Sequence, residues 1–121
     1  MSIENRDEVS EIMDYIKFAD LKGNIEVGDG YFWWKLGDVE LYFCLDSMET
    51  TVEYFRRKNK MIYLGHTHCD NADALKLIQD INSGKKMLKI TVTPLFSTFS
   101  VVDATTKKKK SRFLVQRYYS I

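Results

Sequence analysis

Residues 61–84, MIYLGHTHCDNADALKLIQDINSG, constrain this chain more than any other stretch. They read as a buried strand, a turn holding both of the protein's histidines, and an amphipathic helix. Asp70 or Asn71 is placed to cap the helix with its side-chain oxygen. Ala72, Ala74, Leu75, Leu77, Ile78 and Ile81 then fall on one broad face at helical spacing. Gly84 stands where a left-handed residue ends a helix, and Lys85 and Lys86 follow at the negative end of the dipole.

The flanks add one helix and several strands. Asn5 and Glu8 have the spacing of a capping box, and Val9, Ile12, Met13, Ile16 and Ala19 mark a helical face that Tyr15 and Phe18 widen. Gly23 is the expected end of that helix. Residues 24–46 read as a strand meander, with Gly37-Asp38 as a two-residue turn of type II′. That turn pairs Leu36 with Val39 and Trp34 with Leu41. Phe32, Trp34, Leu36, Val39, Leu41 and Phe43 then share one face, the core. Tyr31, Trp33, Lys35, Glu40, Tyr42 and Cys44 share the other, with Lys35 opposite Glu40. The second face is aromatic enough to need cover, from the N-terminal helix or from a partner. Cys44 is expected as a small apolar core residue.

Residues 46–60 carry mixed signals. Met48, Val52 and Phe55 have helical spacing, but Thr50, Thr51, Val52, Tyr54 and Phe55 favour a strand leading to a hairpin tip at residues 57–60. The strand is the expectation. Beyond the central helix, Leu88, Ile90 and Val92 alternate with polar residues, and Pro94 marks a strand end. Residues 96–103 and 112–119 read as a closing hairpin. The whole is a single α+β domain over 1–121: a mostly antiparallel sheet of six to eight strands packed against the N-terminal and central helices.

Composition narrows the functional classes. The 45% hydrophobic and 29% charged fractions belong to a folded protein. No run is long enough to span a bilayer, no signal-peptide core opens the chain, and two cysteines make no disulfide framework. A cytoplasmic protein is expected. The net charge of +1 hides a net of −9 over residues 1–55 and +10 over residues 56–121, which the fold is expected to bring together.

Four functional readings follow. His66 and His68, at i and i+2, could grip one metal ion with Asp70 or Cys69 as a third ligand. The His66-Thr-His68-Cys-Asp70 pattern resembles the signature turn of the metallo-β-lactamase fold, with Asn71 where that family has histidine. Gly65-His66-Thr67-His68 similarly resembles the last metal box of calcineurin-like phosphoesterases. Either resemblance implies a metal-dependent hydrolase, but both families draw further histidines from elsewhere and this chain has none. Cys69, near a helix N-terminus and a histidine, is the candidate for a lowered thiol pKa. Lys107, Lys108, Lys109, Lys110 and Arg112 could neutralise phosphates. A pI of about 7.7 is low for a dedicated nucleic-acid domain, and a lysine run between strands also guards an edge.

The leading reading is a non-enzymatic protein-binding module with no cofactor, its partner another protein or a second copy. In size and layout it resembles the small α+β proteins that bacteria use as adaptors or as immunity partners of toxins. Its binding residues are expected to be Tyr31, Trp33 and Tyr42, or the histidines His66 and His68.

Overall fold

A computed structural model describes residues 8–57, 59–105 and 115–121. Helix α1 spans Glu8–Phe18. Strands β1 (Asn24–Gly28), β2 (Tyr31–Leu36), β3 (Val39–Leu45), β4 (Thr50–Arg57) and β5 (Met61–Cys69) form one antiparallel sheet in chain order. Helix α2 (Asn71–Asn82) leads to β6 (Lys86–Val92), β7 (Ser97–Asp103) and β8 (Val115–Ser120), a second sheet in the order β7-β6-β8. The architecture is α+β, as the element order implies. The strands divide into two sheets where one was expected. Strands β7 and β8 do not pair as the expected closing hairpin either, because each pairs with β6, on opposite sides. Among the described residues no helix is long and apolar enough to cross a membrane.

The β2–β3 hairpin follows from its sequence. Gly37 has φ +79°, and among the described residues no non-glycine residue has positive φ, as a type II′ turn requires. Leu36 faces Val39 and Trp34 faces Leu41. Phe32, Trp34, Val39, Leu41 and Phe43 are buried, and the Phe32 and Phe43 rings stack at 4.5 Å. They share one core with Ile12 and Ile16 of α1, Ala74, Ile78 and Ile81 of α2, Leu88 and Ile90 of β6, and Ile121. Both helices therefore lie on the inner face of the five-stranded sheet. The outer face goes without the helical cover that α1 was expected to give it.

Helix α1 ends at Phe18, five residues before Gly23, because tertiary bonds pull the next residues off the helix path. Lys22 N–H donates to Asn82 Oδ1 (2.9 Å), Asn82 Nδ2 donates to Asp20 O (3.3 Å), and Trp34 Nε1 donates to Lys22 O (2.8 Å). Phe18, expected to widen the buried stripe, is exposed. The expected Asn5 cap lies outside the described residues.

Helix α2 begins at Asp70 in position, but the Asp70 side chain makes no capping bond. Asn71, also a candidate cap, is turned to tertiary use. It is buried, its Oδ1 accepts from Thr50 Oγ1 (2.6 Å), and its Nδ2 donates to Asp46 O (2.8 Å). The start of α2 is thus anchored to the turn between β3 and β4. At its end, Gly84 N–H donates to Ile81 O (3.1 Å) and Lys85 N–H to Asp80 O (2.9 Å), the paired bonds of a Schellman motif.

The expected central buried strand is instead β5, the edge of its sheet, with Met61, Ile62 and Tyr63 exposed. It also carries a bulge. Tyr54 of β4 faces Gly65 while Phe55 faces Tyr63, so Leu64 is left without a cross-strand partner. Gly65 has φ +142°, and a Cβ there would lie 2.3 Å from Phe99 Cε1. The Phe99 ring from β7 packs against this glycine and against Tyr54, 4.7 Å between centroids. Gly65→Ala is expected to cost about 2–4 kcal/mol, from overpacking plus backbone strain. In a Phe99→Ala background only the strain remains, and the additional loss should fall to about 1–2 kcal/mol; denaturant unfolding of wild type, the two single variants and the double variant measures both values.

Candidate functional site

The outer face of the five-stranded sheet gathers the aromatic residues that the β2–β3 alternation excludes from the core. Tyr31 and Tyr42 have ring centroids 5.8 Å apart, Tyr42 and Trp33 5.3 Å, Trp33 and Phe55 5.1 Å, and Phe55 and Tyr63 5.3 Å. These are distances at which rings interact favourably. The five form an unbroken ladder across β2, β3, β4 and β5. Tyr31 and Tyr63 are exposed, and Trp33, Tyr42 and Phe55 are half-buried. Phe55 and Tyr63 were not anticipated as members. Phe55 could have been found by carrying the alternation of β3 through to β4.

A buried carboxylate fixes the middle of the ladder. Glu40 is 2% exposed although it lies on the outer face. Trp33 Nε1 donates to its Oε1 at 2.6 Å, and Arg57 Nε donates to its Oε2 at 2.5 Å. Lys35 stands opposite Glu40 as expected, but its ammonium pairs with Glu26 at 3.0 Å. Burial pushes the Glu40 carboxyl pKa up. The bonds from Arg57 and Trp33, with the charges of Arg57 and Lys35, outweigh it and hold the net value below the usual carboxylate range. The bond to Glu40 also orients the Trp33 indole, and so the ladder around it.

The histidines join this face through the bulge. In an unbroken strand, Tyr63 and His66 would point to opposite sides. The extra residue at Leu64 shifts the phase, so that Tyr63 faces Phe55, His66 faces Glu53 and His68 faces Thr51, all on the outer face. Tyr63 Oη lies 2.9 Å from His66 Nδ1, and the two imidazole centroids are 5.1 Å apart. His68 Nδ1 lies 3.0 Å from Thr51 Oγ1 and 3.4 Å from Glu49 Oε1. Both histidines stand within the strand itself, not in the turn after it. The aromatic residues and the histidines, two separate candidate surfaces in the sequence, are one surface in the fold. A glycine inside a strand pattern is the signal for such a phase change.

The other candidates are not brought to this place. Asp70 sits at the start of α2. Among the described residues no three His, Cys, Asp or Glu side chains converge to hold a metal ion, so the metal reading has two donors in register and no assembled third. Cys69 faces inward opposite Thr50 and packs against the core, on the other side of the strand from His68. Burial pushes its thiol pKa up, and the charges of Asp73, Asp70 and Glu49 push it the same way. The lowered pKa expected of a reactive thiol is thus reversed. Cys44, expected in the core, is exposed on the outer face opposite Tyr31 and Thr51. Lys107, Lys108, Lys109, Lys110 and Arg112 lie outside the described residues.

No protein-family model, curated protein or solved structure matches this chain.

Two outcomes follow from these environments. Because the folded Glu40 pKa is depressed, its contribution is complete above the unfolded value and is lost as pH falls through the folded one. Glu40→Gln should cost about 1–3 kcal/mol near pH 7, from weakened charge-assisted bonds. The gap between wild type and variant should narrow below about pH 4.5, the unperturbed value, when both are unfolded by urea across the acid range. Alkylation with iodoacetamide at mildly alkaline pH should modify Cys44 well before Cys69, as read by peptide mass spectrometry.

Proposed function

We propose that this chain is a non-enzymatic protein-binding module of the cytoplasm, adaptor- or immunity-like in build, that engages its partner through the outer face of the five-stranded sheet. The observation that carries this reading is the ladder of Tyr31, Tyr42, Trp33, Phe55 and Tyr63, continued by His66 and His68 and left uncovered by both helices. Contiguous aromatic surface of this kind costs solvation unless something covers it.

Its extent favours a macromolecule over a small ligand. The ladder crosses four strands, roughly 14 Å at the usual strand spacing, the scale of the anchor cluster at the centre of a protein interface. Its chemistry agrees. Tyrosine and tryptophan combine large apolar area with a polar tip, and the nearby charges Glu26–Lys35 and Glu40–Arg57 are already paired. A partner docking here would desolvate aromatic carbon without stranding an unpaired ion from those two pairs. The free thiols Cys44 and Cys69 suit a reducing compartment.

Affinity capture from nuclease-treated lysate of the source cells, with wild type beside Tyr31→Ser/Tyr42→Ser, tests the reading. Removal of two interface anchors is worth about 2–4 kcal/mol. The partner recovered by wild type should therefore fall by at least about tenfold with the variant, whose thermal midpoint shows it to be folded. Equal recovery by the two proteins would sink the proposal.

A further inference from the structure

The open edge of β5 is where the outer face ends, and it has unusual properties for an edge. It is nine residues long, and its sequence, MIYLGHTHC, contains no Lys, Arg, Asp, Glu or Pro. Edge strands are commonly protected from adding another strand by charge, proline or brevity; β5 has only its bulge. Among the described residues its one ladder partner is β4, and none of their backbone bonds outside the ladders involves residues 61–69; β7 comes against the strand at Gly65, where the Phe99 ring packs.

A cleft runs beside this edge, between the two sheets. It encloses about 310 Å³, its walls mostly apolar (Ile62, Leu64, Ile90, Val92, Phe99) with Tyr63, Ser97 and Thr98 adding hydroxyls, and Arg56 is its one charged group. The Arg56 guanidinium lies over the Tyr119 ring, 5.0 Å from its centroid. It has no carboxylate partner among the ion pairs of the described residues. Backbone edge, apolar cavity and unneutralised cation therefore occur together.

We infer that β5 is a strand-addition site for an extended segment of another protein, carrying an apolar side chain for this cleft and a carboxylate for Arg56. The inference rests on the binding-module reading and specifies its mode. An added strand takes its affinity from main-chain bonds and its specificity from alternate side chains. Inward-facing side chains would enter the cleft beside Ile62. Outward-facing ones would extend the aromatic ladder past Tyr63 and lie against His66 and His68. A second copy of this chain pairing through its own β5 fits less well, since β5 contains no acid to meet Arg56.

The test uses a displayed library of random twelve-residue peptides, selected on the full chain. Selected peptides should alternate apolar and other residues with at least one acid. They should slow amide exchange of residues 61–69 by at least about tenfold, the protection expected of new backbone bonds. They should also lose at least about tenfold in affinity for Ile62→Lys, which places a charge at an exposed point of the edge, and for Arg56→Gln, which removes the cation. Peptides that protect β2 and β3 and ignore both substitutions would overturn the edge inference while leaving the aromatic-face reading intact. A library with no binder discriminating wild type from either variant would also overturn it. Self-association abolished by Ile62→Lys would replace the foreign strand with a second copy. The aromatic-face reading itself stands or falls separately, on the Tyr31→Ser/Tyr42→Ser comparison.

Discussion

The Phe99 ring occupies the space that a side chain on residue 65 would need, and much of the arrangement turns on that contact. It brings the edge of the second sheet against the edge of the first, with Tyr54 as the third partner. It also adjoins Leu64, the one residue of β5 that departs from regular pairing. Three consequences meet at a single glycine. The sheets are held together at that edge, the strand changes phase, and the residues beyond the bulge turn to the opposite face from the one an unbroken strand would give them. A bulge of this kind re-aims side chains at little cost in pairing. Here it aligns a tyrosine with two histidines that strict alternation would have separated.

The same sheet shows two ways of treating polar groups at a boundary. On the inner side, Asn71 is buried because both ends of its amide are satisfied, by Thr50 and by the Asp46 carbonyl. On the outer side, Glu40 is buried under an indole and a guanidinium that together neutralise and orient it. Both arrangements obey the rule that a sequestered polar group must find its partners. Both also do positional work, since one sets where α2 starts and the other sets how Trp33 lies in the aromatic ladder. The outer face is therefore ordered by a charged pair beneath it, which fixes the Trp33 indole within the aromatic ladder.

The parts legible in the sequence are those governed by neighbours close along the chain. The Gly37-Asp38 turn and the alternation around it were enough to pair Trp34 with Leu41 and to sort Trp33 from Trp34. The spacing of Ala74, Ile78 and Ile81 was enough for the buried stripe of α2. What escaped was decided by distant residues. Gly65 signals a break in the strand, but where the bulge falls is decided by β4 and Phe99, so β5 could not be assigned its faces, nor Tyr63 its place beside Phe55. Cys69 looked activated by its helix, but burial against the core, and then the carboxylates of Asp73, Asp70 and Glu49, push its thiol the other way. Helix α1 stops early because Trp34 and Asn82 claim the backbone of residues 20–22. The pairing of β8 with β6 spans the lysine-rich stretch, and adjacency along the chain pointed instead to β7.

The bond from Lys22 Nζ to Ile121 O (2.6 Å) joins residues 99 apart in sequence, and its meaning is kinetic. The five-strand meander is built from successive hairpins whose loops close cheaply and early. The seating of β8 on β6, and of Ile121 in the core, requires closure of a far longer loop. Contacts that form only after the rate-limiting step govern how slowly a protein comes apart more than how quickly it assembles. By its sequence separation the Lys22–Ile121 junction is the kind of contact expected to form late, and loosening it is then expected to shorten the lifetime of the native protein more than it slows formation of the meander.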